Sequence, residues 1–289
     1  MSSLRALLLC AAALAAAPAH AQDEGSSMAV DEPPLPPPSA MDADSITVGL
    51  GAAYGPDYEG SDDYRFIPGA LVRAKFGDVR IVTRGLRLYA TLTPPGDGDM
   101  SFDAGPIVGV RLSRSGKVDD PVVDQLPDRD VAVELGGFAG LTFKGLTNPY
   151  DRLSFRLDAV HDVAGAHDDW LIGPNVDFST PLSRKTFVAL SLGAEIVGDD
   201  FAATYFGVTP AEAATVPALA PYSLDGGLKS IGGGLVLGQS LEDNLLEGFS
   251  LFGTVNYERL LGDFADSPLV ADRGSANQWF LAAGVGYTF

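Results

Sequence analysis

In 289 residues the chain sets 38 Asp and Glu against 19 Lys and Arg, a formal charge of −19, which argues against nucleic acid, whose binding needs clustered positive charge. Its one cysteine, Cys10, lies in a leader, so the chain without the leader is excluded from disulfides, thiol catalysis and cysteine metal sites. No later stretch approaches the ~18 consecutive apolar residues of a transmembrane helix, although 46% of the residues are hydrophobic and 34 are glycine.

Residues 1–21 read as a cleaved export signal. Arg5 supplies the positive start, Leu7-Leu8-Leu9 opens an apolar run through Ala17, and Ala19-His20-Ala21 is a small-x-small cleavage site. A lipoprotein would need small residues before Cys10, where Leu8-Leu9 stand instead. Residues 22–44 are acidic and carry Pro33-Pro34 and Pro36-Pro37-Pro38; proline has no donor for a sheet ladder. They predict a disordered or polyproline tail in the periplasm, a plain spacer in preference to a partner-docking segment.

From residue 45 the pattern alternates with a period of two. Ile46, Val48, Leu50, Ala52 and Tyr54 share one face, with Thr47, Gly49 and Gly51 on the other. Eleven such runs follow one another, at 45–54, 65–76, 79–92, 100–113, 131–144, 151–163, 169–180, 186–197, 224–240, 248–259 and 277–289. Each approximates the length of a tilted strand crossing a bilayer. Only every second residue then meets lipid, which accounts for the mixed composition. The last run decides against a soluble sandwich. Trp279, Leu281, Ala283, Val285, Tyr287 and Phe289 form one apolar row with an aromatic at each end, the spacing of interfacial anchors. Tyr287 and the terminal Phe289 also resemble the signal read by the barrel assembly machinery.

An odd strand count conflicts with the even-numbered barrels of bacterial outer membranes, whose termini are periplasmic and whose longer loops are outside. Splitting 79–92 near Arg84-Gly85 gives twelve strands and places 55–64, 113–130, 198–223 and 260–276 all outside. Ten strands is the alternative if the first run does not cross. The predicted fold is an all-β, closed antiparallel transmembrane barrel over 45–289.

The inward rows carry Arg65, Arg73, Lys75, Arg80, Arg87, Asp103, Arg111, Glu134, Lys144, Arg152, Arg156, Asp158, Glu195 and Glu258. Glu134, Lys144, Arg152, Arg156 and Asp158 are the candidate luminal cluster. Such charges either line a wet pore or interlock as a plug; unpaired charge in a dry lumen is costly, which favours interlocking. No catalytic, cofactor or metal site emerges. His161 falls on the lipid-facing row. His167 lies in a turn with Asp168 and Asp169, half of an omptin-like arrangement, but acidic residues beside glycine are ordinary turn formers.

The segment 49–64, containing Tyr58-Glu59-Gly60-Ser61, resembles the opening of the MltA-interacting protein/OmpV family of outer-membrane proteins. Arg84-Gly85-Leu86, Glu134-Leu135-Gly136, Tyr205-Phe206-Gly207-Val208-Thr209 and Leu260-Leu261-Gly262-Asp263 continuing through Val270 are similar to later elements in the same order. His167-Asp168-Asp169 departs from the histidine-lysine-glycine turn expected there. The resemblance implies a non-enzymatic barrel: a scaffold joining a murein transglycosylase to a peptidoglycan synthase, or an adhesion or stress protein of the envelope. A small-solute channel is the alternative, with a rim-active hydrolase behind it. Expected surroundings are outer-membrane lipid and lipopolysaccharide, whose divalent cations acidic loops would share if they do more than keep the protein soluble.

Overall fold

The structure is a computed structural model that describes residues 35–96 and 98–289, with the backbone alone at Met41. The export signal and the tail to residue 34 lie outside the described residues. Twelve antiparallel strands form a closed barrel in which each neighbours its successor and β1 pairs with β12. They are β1 (Ser45–Pro56), β2 (Tyr64–Phe76), β3 (Val79–Arg84), β4 (Arg87–Thr91), β5 (Met100–Arg111), β6 (Ala132–Lys144), β7 (Arg152–Asp162), β8 (Trp170–Pro181), β9 (Thr186–Val197), β10 (Gly227–Ser240), β11 (Gly248–Leu260) and β12 (Asn277–Thr288). The split of 79–92 occurs where the sequence placed it, and the ten-strand alternative does not form.

Alternation sets the wall. Along β12, Trp279, Leu281, Val285 and Tyr287 are exposed on the outside while Gln278 is buried on the inside. Connections at one end are short, such as 77–78 and 182–185; those at the other are long, such as 112–131, 198–226 and 261–276. These are the turn end and the loop end. Aromatic pairs gather at both: Phe249–Tyr287 and Tyr287–Phe289 at the turn end, Tyr54–Phe66, His161–Trp170 and Tyr257–Trp279 at the loop end. Two such belts on an apolar band are what a barrel needs at the two membrane interfaces.

The segment before β1 differs from a structureless tail. Pro38–Met41 form a helical turn, α1, and the residues after it are tied to the turn end of the wall. Arg152 Nη2 lies 2.5 Å from Asp42 Oδ1, Lys75 donates to the Asp42 carbonyl, and Asp44 Oδ1 accepts from the Gly77 N–H at 2.8 Å.

The long connections are not open loops. They carry helices α2 (Asp199–Phe206), α3 (Pro210–Thr215), α4 (Gly262–Asp266) and α5 (Pro268–Ala271). Thr209 and Glu212 form a capping box at α3, and Asp169 Oδ2 accepts from the first-turn N–H groups of Asp200 and Phe201 at 3.0 and 3.2 Å. The helices fold over the loop end as a dome with its own core. Phe201, Phe206, Phe264 and Val270 are buried with Leu171, Val197 and Leu260 of the wall. A second cluster joins Tyr58, Val118, Val123, Leu126, Val208 and Leu269. Polar ties hold the loops to one another: Tyr58 donates to the Leu269 carbonyl at 3.0 Å, Ser267 to the Phe206 carbonyl at 2.6 Å, and Arg273 pairs with Asp120 at 2.5 Å. Gly60, at φ +101°, places its α-carbon where a Cβ would stand 2.6 Å from Val270 Cγ2, so only glycine fits that crossing.

Phe289 follows the last strand, donates its N–H to the Ile46 carbonyl at 2.9 Å and stacks edge-on against Tyr287. It helps to close the β1–β12 seam. Deleting Phe289, or substituting Phe289→Asp, is expected to lower the folded, heat-modifiable form recovered from outer membranes. Normal folded levels after both changes would show that the residue is dispensable.

Candidate functional site

The inward charges separate into three groups stacked along the lumen. The expected cluster of Glu134, Lys144, Arg152, Arg156 and Asp158 does not assemble as one. Glu134 pairs in register with Asp162, and Lys144 with Arg152. Ten residues of β6 separate Glu134 from Lys144, roughly 33 Å of strand rise, so they stand at opposite ends.

At the turn end, Lys144 Nζ donates to the Gly96 carbonyl at 3.2 Å and Arg152 meets Asp42. Just inside, Arg80 pairs with Asp103, whose other oxygen accepts from the Thr142 hydroxyl at 2.7 Å. In the middle, Arg156 bridges Asp158 and Asp177, each at 2.7 Å. The Tyr89 hydroxyl donates to Asp158 Oδ2 at 3.0 Å, and Arg84 lies 3.3 Å from Asp177. Both guanidiniums face the Tyr89 ring, at 5.7 Å for Arg84 and 5.3 Å for Arg156.

Beneath the dome is the largest group. Glu134 accepts from Arg111 Nε and Arg87 Nε, both at 2.8 Å. Arg111 continues to Glu59 at 3.1 Å and Glu195 at 3.4 Å. Lys229, 1% exposed at its side chain, contacts Glu59, Glu195 at 3.0 Å and Glu258 at 3.5 Å. Phe201 of α2 covers both cations, 4.9 Å from the Arg111 guanidinium and 5.6 Å from Lys229 Nζ. Four carboxylates thus enclose three cations under an aromatic lid. Low local dielectric strengthens such a network when every member is paired.

Two members escaped the sequence reading. Lys229 shares parity with Ile231, Leu235 and Leu237, which face outward; a register shift between Leu228 and Ser230 turns it inward. That bulge has no signature in an alternating pattern. Glu59 belongs to a loop, and its only signal was membership of Tyr58-Glu59-Gly60-Ser61.

The histidines form no acid–base pair at the rim. His161 stacks edge-on against Trp170 on the outer face, ring centroids 4.9 Å apart. His167 is buried under α2 against Phe201 and Tyr205, at 5.1 and 5.8 Å, with neither ring nitrogen hydrogen-bonded among the described residues. Asp168 takes a left-handed φ of 49°, and Asp169 caps α2.

Burial lowers the proton affinity of His167 from its ordinary value, with Asp162 opposing and Arg111 reinforcing. A histidine whose folded pKa lies below its unfolded one, about 6.5, is held neutral in the fold. Stability present above that value is then lost as pH falls toward the folded pKa. The barrel is expected to melt at lower temperature at pH 5 than at pH 7.5, and His167→Phe to narrow that difference. An equal difference in both proteins would remove His167 from the account.

The family model described as MltA-interacting protein MipA matches residues 48–289. No curated protein matches the chain. Similar solved structures include an outer membrane channel from Pseudomonas putida F1, 15% identical with TM-score 0.43, covering 91% of this chain and 100% of that one. Another is the CymD monoaromatic hydrocarbon channel, 12% identical with TM-score 0.37, covering 86% and 89%. A third is OprD from Pseudomonas aeruginosa, 11% identical with TM-score 0.36, covering 85% and 65%. Likenesses so distant carry no argument about transport. The family match and the closed barrel place the chain in the outer membrane, with the turn end periplasmic and the loop end outside.

Proposed function

The chain belongs to the family of the MltA-interacting protein MipA, and on that premise we propose that it is a non-enzymatic scaffold of the outer membrane rather than a channel. The observation that carries this reading is the three-tiered charge network beneath a folded dome. Arg156, Glu134 and Lys229 are each engaged by luminal partners, Asp177, Arg111 and Glu195 among them, and α2 lies across the outer group. A barrel that gives its lumen to internal pairing is suited to presenting surfaces.

The partner class follows from the family's name: a lytic murein transglycosylase at the periplasmic face, with a peptidoglycan synthase as the second expected partner. The turn end supplies a platform there in α1, Asp42 and Asp44 beside Arg152 and Lys75. Lipopolysaccharide and the barrel assembly machinery remain general surroundings of any such barrel. Crosslinking followed by affinity capture from outer membranes tests the proposal. Recovery of murein transglycosylase that is lost when residues 35–44 are deleted supports it. Large unitary conductance in planar bilayers without such recovery would replace it with the small-solute channel.

A further inference from the structure

The barrel wall is not equally tall all round. The β3–β4 hairpin turns at Gly85-Leu86, and its pairing with β2 ends at Arg73↔Val82. There the Thr83 hydroxyl takes over, accepting from the Val72 N–H at 3.0 Å and donating to the Val72 carbonyl at 3.4 Å. On the other side the register with β5 ends at Arg87↔Gly109, followed by one bond from the Val110 N–H to the Leu86 carbonyl at 3.2 Å. Yet β2 continues outward, bonded to β1 alone, as far as Pro56↔Tyr64. Two strands are therefore missing from the outer half of the wall between β2 and β5. At the usual strand spacing this is a gap of about 14 Å.

Loop contacts bridge the gap above, so it is a window and not an open notch. The Asp119 N–H donates to Asp57 Oδ2 at 2.6 Å and the Glu59 N–H to Ser113 Oγ at 3.2 Å. Strand alternation fixes which groups face the window: Val72 points its main chain toward β3, so Phe66, Pro68 and Ala70 do the same. Pro68, awkward inside a sheet, has no N–H to leave unpaired on this edge. Phe66 is 78% exposed, more than any other large apolar side chain described, and Leu86 and Leu88 line the lower edge at 56% and 41%. Behind the wall, a Cβ on the inward-facing Gly69 would meet nothing within 4 Å, so luminal space lies directly inside.

Two half-exposed guanidiniums stand behind the window, Arg65 held by Asp57 at 2.8 Å and Arg84 by Asp177. Arg65 and Arg84 are each 44% exposed at the side chain. Arg84 reaches Asp177 at 3.3 Å, while Arg156 already holds that carboxylate at 2.7 Å. Arg84 can therefore turn to another anion without leaving Asp177 bare.

We propose that this window is a lateral binding site for a single-chain amphiphile with a carboxylate head, a long-chain fatty acid, taken from the outer leaflet. The carboxylate meets Arg84 inside the wall, and the alkyl chain lies across Phe66, Leu86 and Leu88 toward the lipid. A two-chain phospholipid fits less well, because its headgroup and second chain are too bulky to follow a carboxylate to Arg84 at the lower edge of the window. An added β-strand fits less well too, because Pro68 would interrupt its ladder. The inference does not depend on the scaffold reading.

The test uses the folded protein in non-ionic detergent with 11-(dansylamino)undecanoic acid as the probe. Saturable fluorescence enhancement is expected, weakened at least tenfold by Arg84→Gln and by Ala70→Trp, which sets a bulky ring on the lipid-facing side of the window's edge, in proteins that keep heat-modifiable mobility. The matching primary amide, with no charge, should bind at least tenfold more weakly than the acid. Absence of saturable binding, equal binding by both variants, or equal binding of acid and amide would each overturn the proposal. So would crosslinking of two copies through cysteines at Phe66, blocked by neither variant, which would assign the edge to strand addition.

Discussion

Replacing Lys229 with Met is expected to cost the barrel about 3–5 kcal/mol, the usual penalty for removing one partner of a buried ion network. The side chain is of similar length, so packing is nearly conserved and the lost charge dominates. Glu59 and Glu195 would keep Arg111, itself committed to Glu134, and Glu258 would lose its one ion-pair partner among the described residues. Because Glu59 sits in the β1–β2 connection, its release should also loosen the dome above. Urea-gradient unfolding in detergent measures the loss. A solvated network would instead give about 0–1 kcal/mol, and that result would remove the dry outer plug from the account. Adding Glu195→Gln to Lys229→Met should recover part of the loss, a non-additivity diagnostic of direct coupling.

The wall was readable because each strand repeats one constraint: an apolar residue at every second position, with aromatics near the ends. Val79–Arg84 and Arg87–Thr91 were readable only through parity, since a hairpin of half-height strands looks like one long strand until the termini are counted. The site was less legible, for three separate reasons. Lys229 depended on a bulge. Glu134 and Lys144 were grouped by face when their spacing along β6 already set them at opposite ends. The dome lies in segments whose sequence has the look of loops, although Thr209-Pro-Ala-Glu212 carries a capping box. Its helices are too short to show a helical period, and tertiary packing supplies their stability. What no pattern could show is that most segments carrying the family resemblance meet in space. Tyr58 touches Leu269, Ser267 touches Phe206, and Gly60 abuts Val270. These segments serve the dome more than the barrel, as alternation can be satisfied by many residues but a close crossing by few.

Arg156 offers the sharpest choice between a plugged and a conducting lumen. Its side chain is 11% exposed and is the only cation in contact with Asp158 among the described residues, while Asp177 retains Arg84. Arg156→Ala therefore leaves one carboxylate without a countercharge, partly relieved by the Tyr89 hydroxyl and the Asn175 amide, 3.0 and 3.3 Å from Asp158 Oδ2. Breaking such a pair costs about 3–5 kcal/mol when nothing relieves it; these donors place the expected loss near the lower end. Melting should fall accordingly, and conductance, which the plugged reading expects to be very small in the parent barrel, should rise as the middle tier opens. Asp158→Asn in the same chain removes the stranded charge and should restore most of the melting temperature while leaving the opened lumen conductive. In a wide, wet lumen the charges would be solvated, and Arg156→Ala would shift ion selectivity with melting unchanged. Large parent conductance together with unaltered melting of Arg156→Ala would reject the plugged scaffold and establish the channel.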